Sequence, residues 1–298
     1  MGEREGGEVR VPGGAIGAAL LIAAVWGFNF VVIKVGVSAM PPLMLAALRF
    51  LFSAFPAVLF VRRPRAPWRS VAAYGLALGV GEFGFLFTAI KLGAPSGLAS
   101  TLLQSQAFFT AALAAAFLKE RLRAHNVAGM AVAAVGLSLF ALGGTAGGGV
   151  APLPLAMILL AALGWAAANV VARTMPGESA LSLMVWSSLF SPLPLAALSL
   201  AFEGPGAVAA SFASIGLRTI GALAYLVILA TLVGYGLWNR LIMRYGASRI
   251  APFSLLVPVV GLAAGRLVFG ERFGARDAAA AVLVLAGLLV HVLGGRAG

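Results

Sequence analysis

The chain has no cysteine and very little charge, and each absence removes a class of function. Without a thiol there can be no disulfide and no thiolate chemistry. Only 10% of the 298 residues are charged while 61% are hydrophobic, against about 25% charged in ordinary soluble domains. So few charges cannot cover the surface of a water-soluble fold of this size, so lipid must be the solvent for most of it. Histidine occurs only as His125 and His291, both at span ends, and Glu82 is the one acid well inside an apolar span. A membrane-embedded enzyme needs a metal cluster or a nucleophile with its base, and these residues supply neither. None of the three lysines (Lys34, Lys91, Lys119) follows a glycine, so there is no Walker A loop to bind ATP. No cofactor or metal is expected.

What is present is a repeated pattern. Leu92-Gly93-Ala94 leads to Leu118-Lys119-Glu120-Arg121, and Tyr245-Gly246-Ala247 leads to Phe269-Gly270-Glu271-Arg272. Each is an apolar span closed by a Glu-Arg pair, and Gly136 and Gly287 follow at the same offset. A duplicated, almost wholly apolar chain is the mark of a secondary transporter built from internal repeats. A passive channel would instead show a ring of charges or repeated filter glycines.

Crossing the hydrocarbon core takes roughly 20 apolar residues per helix. Charges and Gly/Pro breaks divide the chain into ten such spans, near 14–36, 41–61, 70–92, 95–118, 124–143, 152–174, 180–201, 219–242, 247–270 and 276–294. The expected fold is an all-α integral membrane protein of ten transmembrane helices in two inverted five-helix repeats, 14–143 and 152–294. A polar N-terminal tail covers 1–13 and a Gly-rich linker 144–151. The first span runs apolar to Ile33 with no evident cleavage site, so it reads as a transmembrane helix and not a signal peptide. Gly6 stands where myristoylation would want Ser or Thr.

The net charge of +12 does not point to nucleic acid. The basic residues sit in short gaps between spans, without a basic stripe and interleaved aromatics. With the N-terminus inside, the cytoplasmic side holds Arg4, Arg10, Arg62, Arg63, Arg65, Arg69, Lys119, Arg121, Arg123, Arg173, Arg240, Arg244, Arg249 and Arg296. The outside holds Lys34, Lys91, Arg218, Arg266, Arg272 and Arg276. This excess puts both termini in the cytoplasm. Five spans per half is an odd number, so the Glu120 corner faces in and the Glu271 corner faces out.

Several of these segments resemble a known family. Trp26-Gly27-Phe28-Asn29-Phe30-Val31-Val32-Ile33-Lys34, then Pro41-Pro42 and Leu48-Arg49-Phe50, are similar to the opening of the drug/metabolite transporter superfamily in its ten-span EamA exporter branch. So are the two Glu-Arg corners and Leu255-Leu256-Val257-Pro258. The match runs over roughly residues 14 to 294. The resemblance implies an exporter of amino acids and related metabolites, or of drugs, in the bacterial cytoplasmic (inner) membrane. Many members carry a proline in the fourth span. Here that stretch reads Gln104-Ser105-Gln106-Ala107-Phe108-Phe109-Thr110, which is similar to the amino-acid exporter subgroups of the aromatic and the cysteine/O-acetylserine types.

An ionisable side chain at the bilayer centre costs about 2.5–3.5 kcal/mol on insertion scales, so each needs a reason. Counting from Pro41 and Leu92 at about 1.5 Å per residue, Arg49 and Glu82 lie roughly 12 and 15 Å below the outer boundary. Two roles stay open for Glu82: a proton-coupling or substrate-ammonium site, or the structural partner of Arg49. Helical spacing sorts the other polar groups. Trp26 and Asn29 share a face of the first span, and Ser96, Ser100, Gln104 and Phe108 a face of the fourth, with Gln106 pointing elsewhere. Trp165, Asn169 and Arg173 repeat the device in the sixth. Thr231, Tyr235, Trp238 and Asn239 form the richest polar-aromatic stripe, and Ser254 and Pro258 share a ninth-span face. The expected substrate-binding set is Trp26, Asn29, Glu82, Ser100, Gln104, Phe108, Trp165, Asn169, Thr231, Tyr235, Trp238 and Ser254. Amides and hydroxyls suit an ammonium and a carboxylate, and rings suit an apolar side chain. The competing role for these amides and hydroxyls is simple helix-to-helix hydrogen bonding. Arg49, Glu82 and Pro258 are the structural or coupling residues, with Pro258 as a candidate hinge. The partners expected are a small-molecule substrate and the lipid bilayer, with no nucleic acid, and a monomer suffices.

Overall fold

The computed structural model describes residues 11–143 and 150–293, so most of the expected tail and linker lie outside the described residues. Every regular element among the described residues is a helix. In chain order they are α1 (Gly13–Ala39), α2 (Pro42–Leu59), α3 (Trp68–Lys91), α4 (Ser96–Leu118) and α5 (Ala124–Gly143). The second half holds α6 (Pro152–Arg173), the bent pair α7 (Ala180–Ser187 and Pro192–Phe202), α8 (Leu217–Tyr245), α9 (Pro252–Phe269) and α10 (Ala275–Leu293). A short helix, Pro205–Ala213, joins α7 to α8.

Seven of these are long and apolar enough to cross a membrane, and α7 makes an eighth if its two pieces are one span. That is fewer than the ten spans expected. The pieces of α7 meet at 47°, because Pro192 has no N–H to give the preceding turn. Ser188 Oγ bonds back to Met184 O, and Ser191 Oγ donates to Gly75 O of α3 at 2.8 Å, which satisfies polar groups at the break. The helices α5 and α10 do not meet the length and apolarity test over their described residues. They pack on each other through glycine. A Cβ at Gly129 would lie 2.6 Å from Gly287 O, and one at Gly136 would lie 2.8 Å from Ala280 O. Adding 151 to Gly129 and Gly136 gives Ala280 and Gly287, so one contact occurs twice with the halves exchanged.

The interruptions inside helices also come in matched places. A π-helical stretch covers Ala77–Gly84 in α3 and another covers Tyr225–Val233 in α8. A 3-10 turn interrupts α4 at Leu103–Ser105, and another runs over Ala251–Leu255 into α9. Such departures from the regular ladder are frequent at functional sites. The main apolar core lies where α1, α2, α3, α4 and α6 meet. Where α6 crosses α3, a Cβ on Gly164 would fall on the backbone of Gly81. That crossing sits one residue from Glu82.

Candidate functional site

The polar centre is built from three helices. Arg49 of α2 is 2% exposed and Glu82 of α3 is 3% exposed. Arg49 Nη2 donates to Thr231 Oγ1 of α8 at 3.3 Å, and the guanidinium carbon lies 3.8 Å from the centroid of the Phe83 ring. Thr231 in turn donates to Leu226 O, five residues back along the π stretch. No hydrogen bond or ion pair joins Arg49 to Glu82, the pairing that was one of the two roles left open for Glu82. Arg49 Nε and Nη1, Glu82 Oε2, Asn29 Oδ1 of α1 and Ser53 Oγ of α2 are all buried without a hydrogen-bond partner. Buried polar groups are normally satisfied, so these atoms stand out. Tyr235 and Tyr74 lie within electrostatic reach of Glu82.

A run of rings leads to this centre. The Trp26 ring lies 5.5 Å from Tyr235 and 5.1 Å from Trp238, both tilted, which is favourable aromatic spacing. Trp26 Nε1 donates to Ala230 O at 2.9 Å, and Gly234 leaves room for its indole. All three rings are half-buried.

A second polar group joins α4 to α6. Asn169 Nδ2 donates to Gln106 Oε1 at 2.9 Å and to Thr110 Oγ1 at 3.2 Å. Gln106, which helical spacing turned away from the Gln104 face, is the residue that meets Asn169. The i,i+4 spacing of Gln106 and Thr110 was the available signal. The Gln104 stripe instead turns toward α9 and α10. Ser100 Oγ donates to Gly97 O at 2.6 Å and approaches Pro258 O at 3.5 Å, where Gly261 gives it space. The Phe108 ring sits edge-on to His291, 5.4 Å away, and packs on Ala133 and Leu288. Ser100 and Phe108 thus make helix-to-helix contacts in this arrangement. Gln104 is buried, Trp165 and Ser254 are half-buried, and Pro258 is buried in the first turn of α9's regular part.

The two Glu-Arg corners have different surroundings. Both follow a left-handed helix cap, Lys119 (φ 57°) and Gly270 (φ 63°). In both, the glutamate N–H bonds back six residues at 3.3 Å, Glu120 to Ala114 O and Glu271 to Gly265 O. Glu271 then meets Lys34 Nζ of α1 at 2.7 Å and accepts from Ser96 N, Ser96 Oγ and Gly97 N at the start of α4. Its side chain is only 7% exposed, against 31% for Lys34. Partial burial opposes ionisation, but the bonds from Lys34, Gly97 and Ser96 outweigh it and hold the carboxyl below the ordinary 4.5. Glu120 pairs with Arg173 of α6 at 2.6 Å, with both side chains about half exposed (51% and 45%). Arg173 occupies the place in Trp165-to-Arg173 that Lys34 holds in Trp26-to-Lys34. At one corner α1, α4 and α9 are thus joined around a buried carboxylate, and at the other α6 is held by a half-exposed pair. Among the described residues no three His, Asp or Glu side chains group so as to hold a metal ion.

Comparison with known proteins agrees with this architecture. The model of the EamA-like transporter family matches twice, over residues 13–142 and 153–293. A "Probable amino-acid metabolite efflux pump" of Salmonella typhimurium is 46% identical over 282 residues, covering 93% of this chain and 94% of the relative. Its namesake in Escherichia coli is 45% identical with the same coverage. A "Probable terminal-alkyne amino-acid exporter" of Streptantibioticus cattleyicolor is 28% identical over 86% of each chain. One solved crystal structure, 24% identical, covers 96% of this chain and 99% of its own with a TM-score of 0.59, which shows a shared fold.

Proposed function

The chain belongs to the EamA-like transporter family, and on that premise we propose that it exports amino acids and related small metabolites across the bacterial inner membrane by alternating access. Ten transmembrane helices form two inverted five-helix repeats, with both termini in the cytoplasm. Aromatic or other apolar amino acids are the favoured cargo. The observation that carries this proposal is the inequality of two chemically equivalent ends. Glu271 is buried against Lys34 and the start of α4, while Glu120 and Arg173 remain exposed. A carrier made of two related halves has two such ends and closes one at a time. Support also comes from the matched π stretches and 3-10 turns and from the doubled glycine contact of α5 with α10. The printed names of the relatives point to amino acids. The substrate path runs between α1, α3, α4, α6, α8 and α9, past Trp238, Trp26 and Tyr235 to Arg49, Glu82, Asn29 and Thr231. Gln106, Thr110 and Asn169 line its α4–α6 wall.

The test is counterflow into proteoliposomes of the purified full chain with a panel of labelled amino acids, with and without a pH gradient. Saturable uptake of aromatic or sulfur amino acids, competed by unlabelled relatives, is the expected result. Reconstituted protein that carries no amino acid overturns the assignment and leaves drugs and other organic metabolites as the cargo.

A further inference from the structure

We propose that Arg49 and Glu82 are the two poles of a zwitterion site, in which Arg49 takes the α-carboxylate and Glu82 the α-ammonium of the cargo. This deepens the exporter assignment and rests on it. The unpartnered buried atoms divide into complementary sets. Arg49 Nε and Nη1 have N–H groups without acceptors, as a carboxylate requires. Glu82 Oε2 and Asn29 Oδ1 are acceptors without donors, as an ammonium with three N–H groups requires. Ser53 Oγ can serve either pole.

The guanidinium is held for this task. Thr231 fixes Nη2, and the Phe83 ring covers one face of the plane at 3.8 Å, so the group is oriented without being neutralised. A structural ion pair would be expected to bring the two charges together. Here Arg49 bonds to a hydroxyl while an oxygen of Glu82 stays empty. Charges buried in a membrane ordinarily pair with one another, and a ligand carrying both signs supplies the missing partners at one stroke. The half-buried Tyr235 lies within electrostatic reach of both charges and against Trp26. These rings therefore receive the cargo's side chain and leave the two charged residues to read the part that all amino acids share. Such a site tolerates varied side chains but rejects molecules lacking either charge.

The experiment measures counterflow of labelled L-phenylalanine and L-cysteine by the full chain in proteoliposomes. Competitors lacking the carboxylate are 2-phenylethylamine and cysteamine; those lacking the ammonium are 3-phenylpropionate and 3-mercaptopropionate. In wild type the intact amino acid should compete at least about tenfold better than either analogue. Arg49→Gln should lose that advantage over the amines while the amines themselves compete as before. Glu82→Gln should lose the advantage over the acids in the mirror-image way. If a variant does not fold, Arg49→Lys and Glu82→Asp keep the charge but alter its reach, and each should weaken its own pole only. Folded variants that lower the amino acid and both analogues by one common factor would overturn the zwitterion site and leave the exporter standing. Wild type that transports no amino acid would remove both.

Discussion

The substitution Glu271→Gln should loosen the end at which α1, α4 and α9 are joined around one carboxylate. The wild-type carboxylate holds Lys34 at 2.7 Å and accepts from Ser96 N, Ser96 Oγ and Gly97 N, joining α1, α4 and α9. Glutamine keeps an oxygen that can still accept from the backbone, so the loss is the ionic part of the cluster. Hydrogen bonds to charged groups contribute about 1.5–3 kcal/mol each. Because Lys34 is 31% exposed, water screens its share, and about 2 kcal/mol is a fair net figure. At about 1.4 kcal/mol per factor of ten, that is roughly a 30-fold rise in the population with this end open. The absence of cysteine makes the assay simple. Ser100 is 1% exposed and lies between Gly97 and Pro258 on the α4–α9 contact. A single Ser100→Cys should therefore react slowly with a membrane-impermeant thiol reagent added on the Glu271 side, and about 30-fold faster once Glu271→Gln is added. Glu120→Gln at the other corner breaks an exposed pair worth about 1 kcal/mol or less, so its effect should be several-fold at most. An unchanged Ser100→Cys rate in folded Glu271→Gln would show that the cluster holds nothing shut.

Other consequences follow from the same contacts. Since the Glu271 carboxyl is held below 4.5 in the fold, its contribution is complete above that pH and is lost as pH falls through the lowered value. The melting-temperature gap between wild type and Glu271→Gln in detergent should be constant at neutral pH and shrink in acid; a gap that widens in acid reverses the sign. Lys119 is the one non-glycine residue with positive φ among the described residues, so Lys119→Gly should raise stability by about 0.5–1 kcal/mol in a thermal melt. Gly164→Ala should destabilise by about 1–3 kcal/mol, because its Cβ would fall on Gly81. Gly17→Ala, with nothing within 4 Å of the new methyl, is the control and should be neutral or better. Asn169→Ala should loosen α6 from α4 by removing two hydrogen bonds, a loss of about 1–2 kcal/mol, and Gln106→Ala should add little to it in a double-mutant cycle.

The sequence by itself determined that lipid is the solvent and that helices are the elements, and its repeats, with the resemblance to the EamA branch, pointed to a transporter. Those conclusions rest on the composition, on the spacing of polar groups and on the recurring Glu-Arg corners, all of which are local properties. It also pointed to Arg49, Glu82, Trp26, Thr231, Tyr235 and Trp238, because a polar or aromatic residue inside an apolar span is conspicuous at any position. Tertiary structure decided which of them meet. A constant 3.6-residue period runs through α4 on paper, but the 3-10 turn at Leu103–Ser105 has three residues per turn and shifts the phase of everything after it. Gln106 consequently faces Asn169, and the stripe from Ser96 to Phe108 packs against neighbouring helices. The π stretch in α3 likewise alters the phase around Glu82, and no hydrogen bond or ion pair joins it to Arg49. The two corners carry the same Glu-Arg pair in the sequence, and only the fold makes one of them a buried three-helix junction and the other an exposed pair. Pattern reports what each helix presents, whereas burial depends on which helix comes to lie against it.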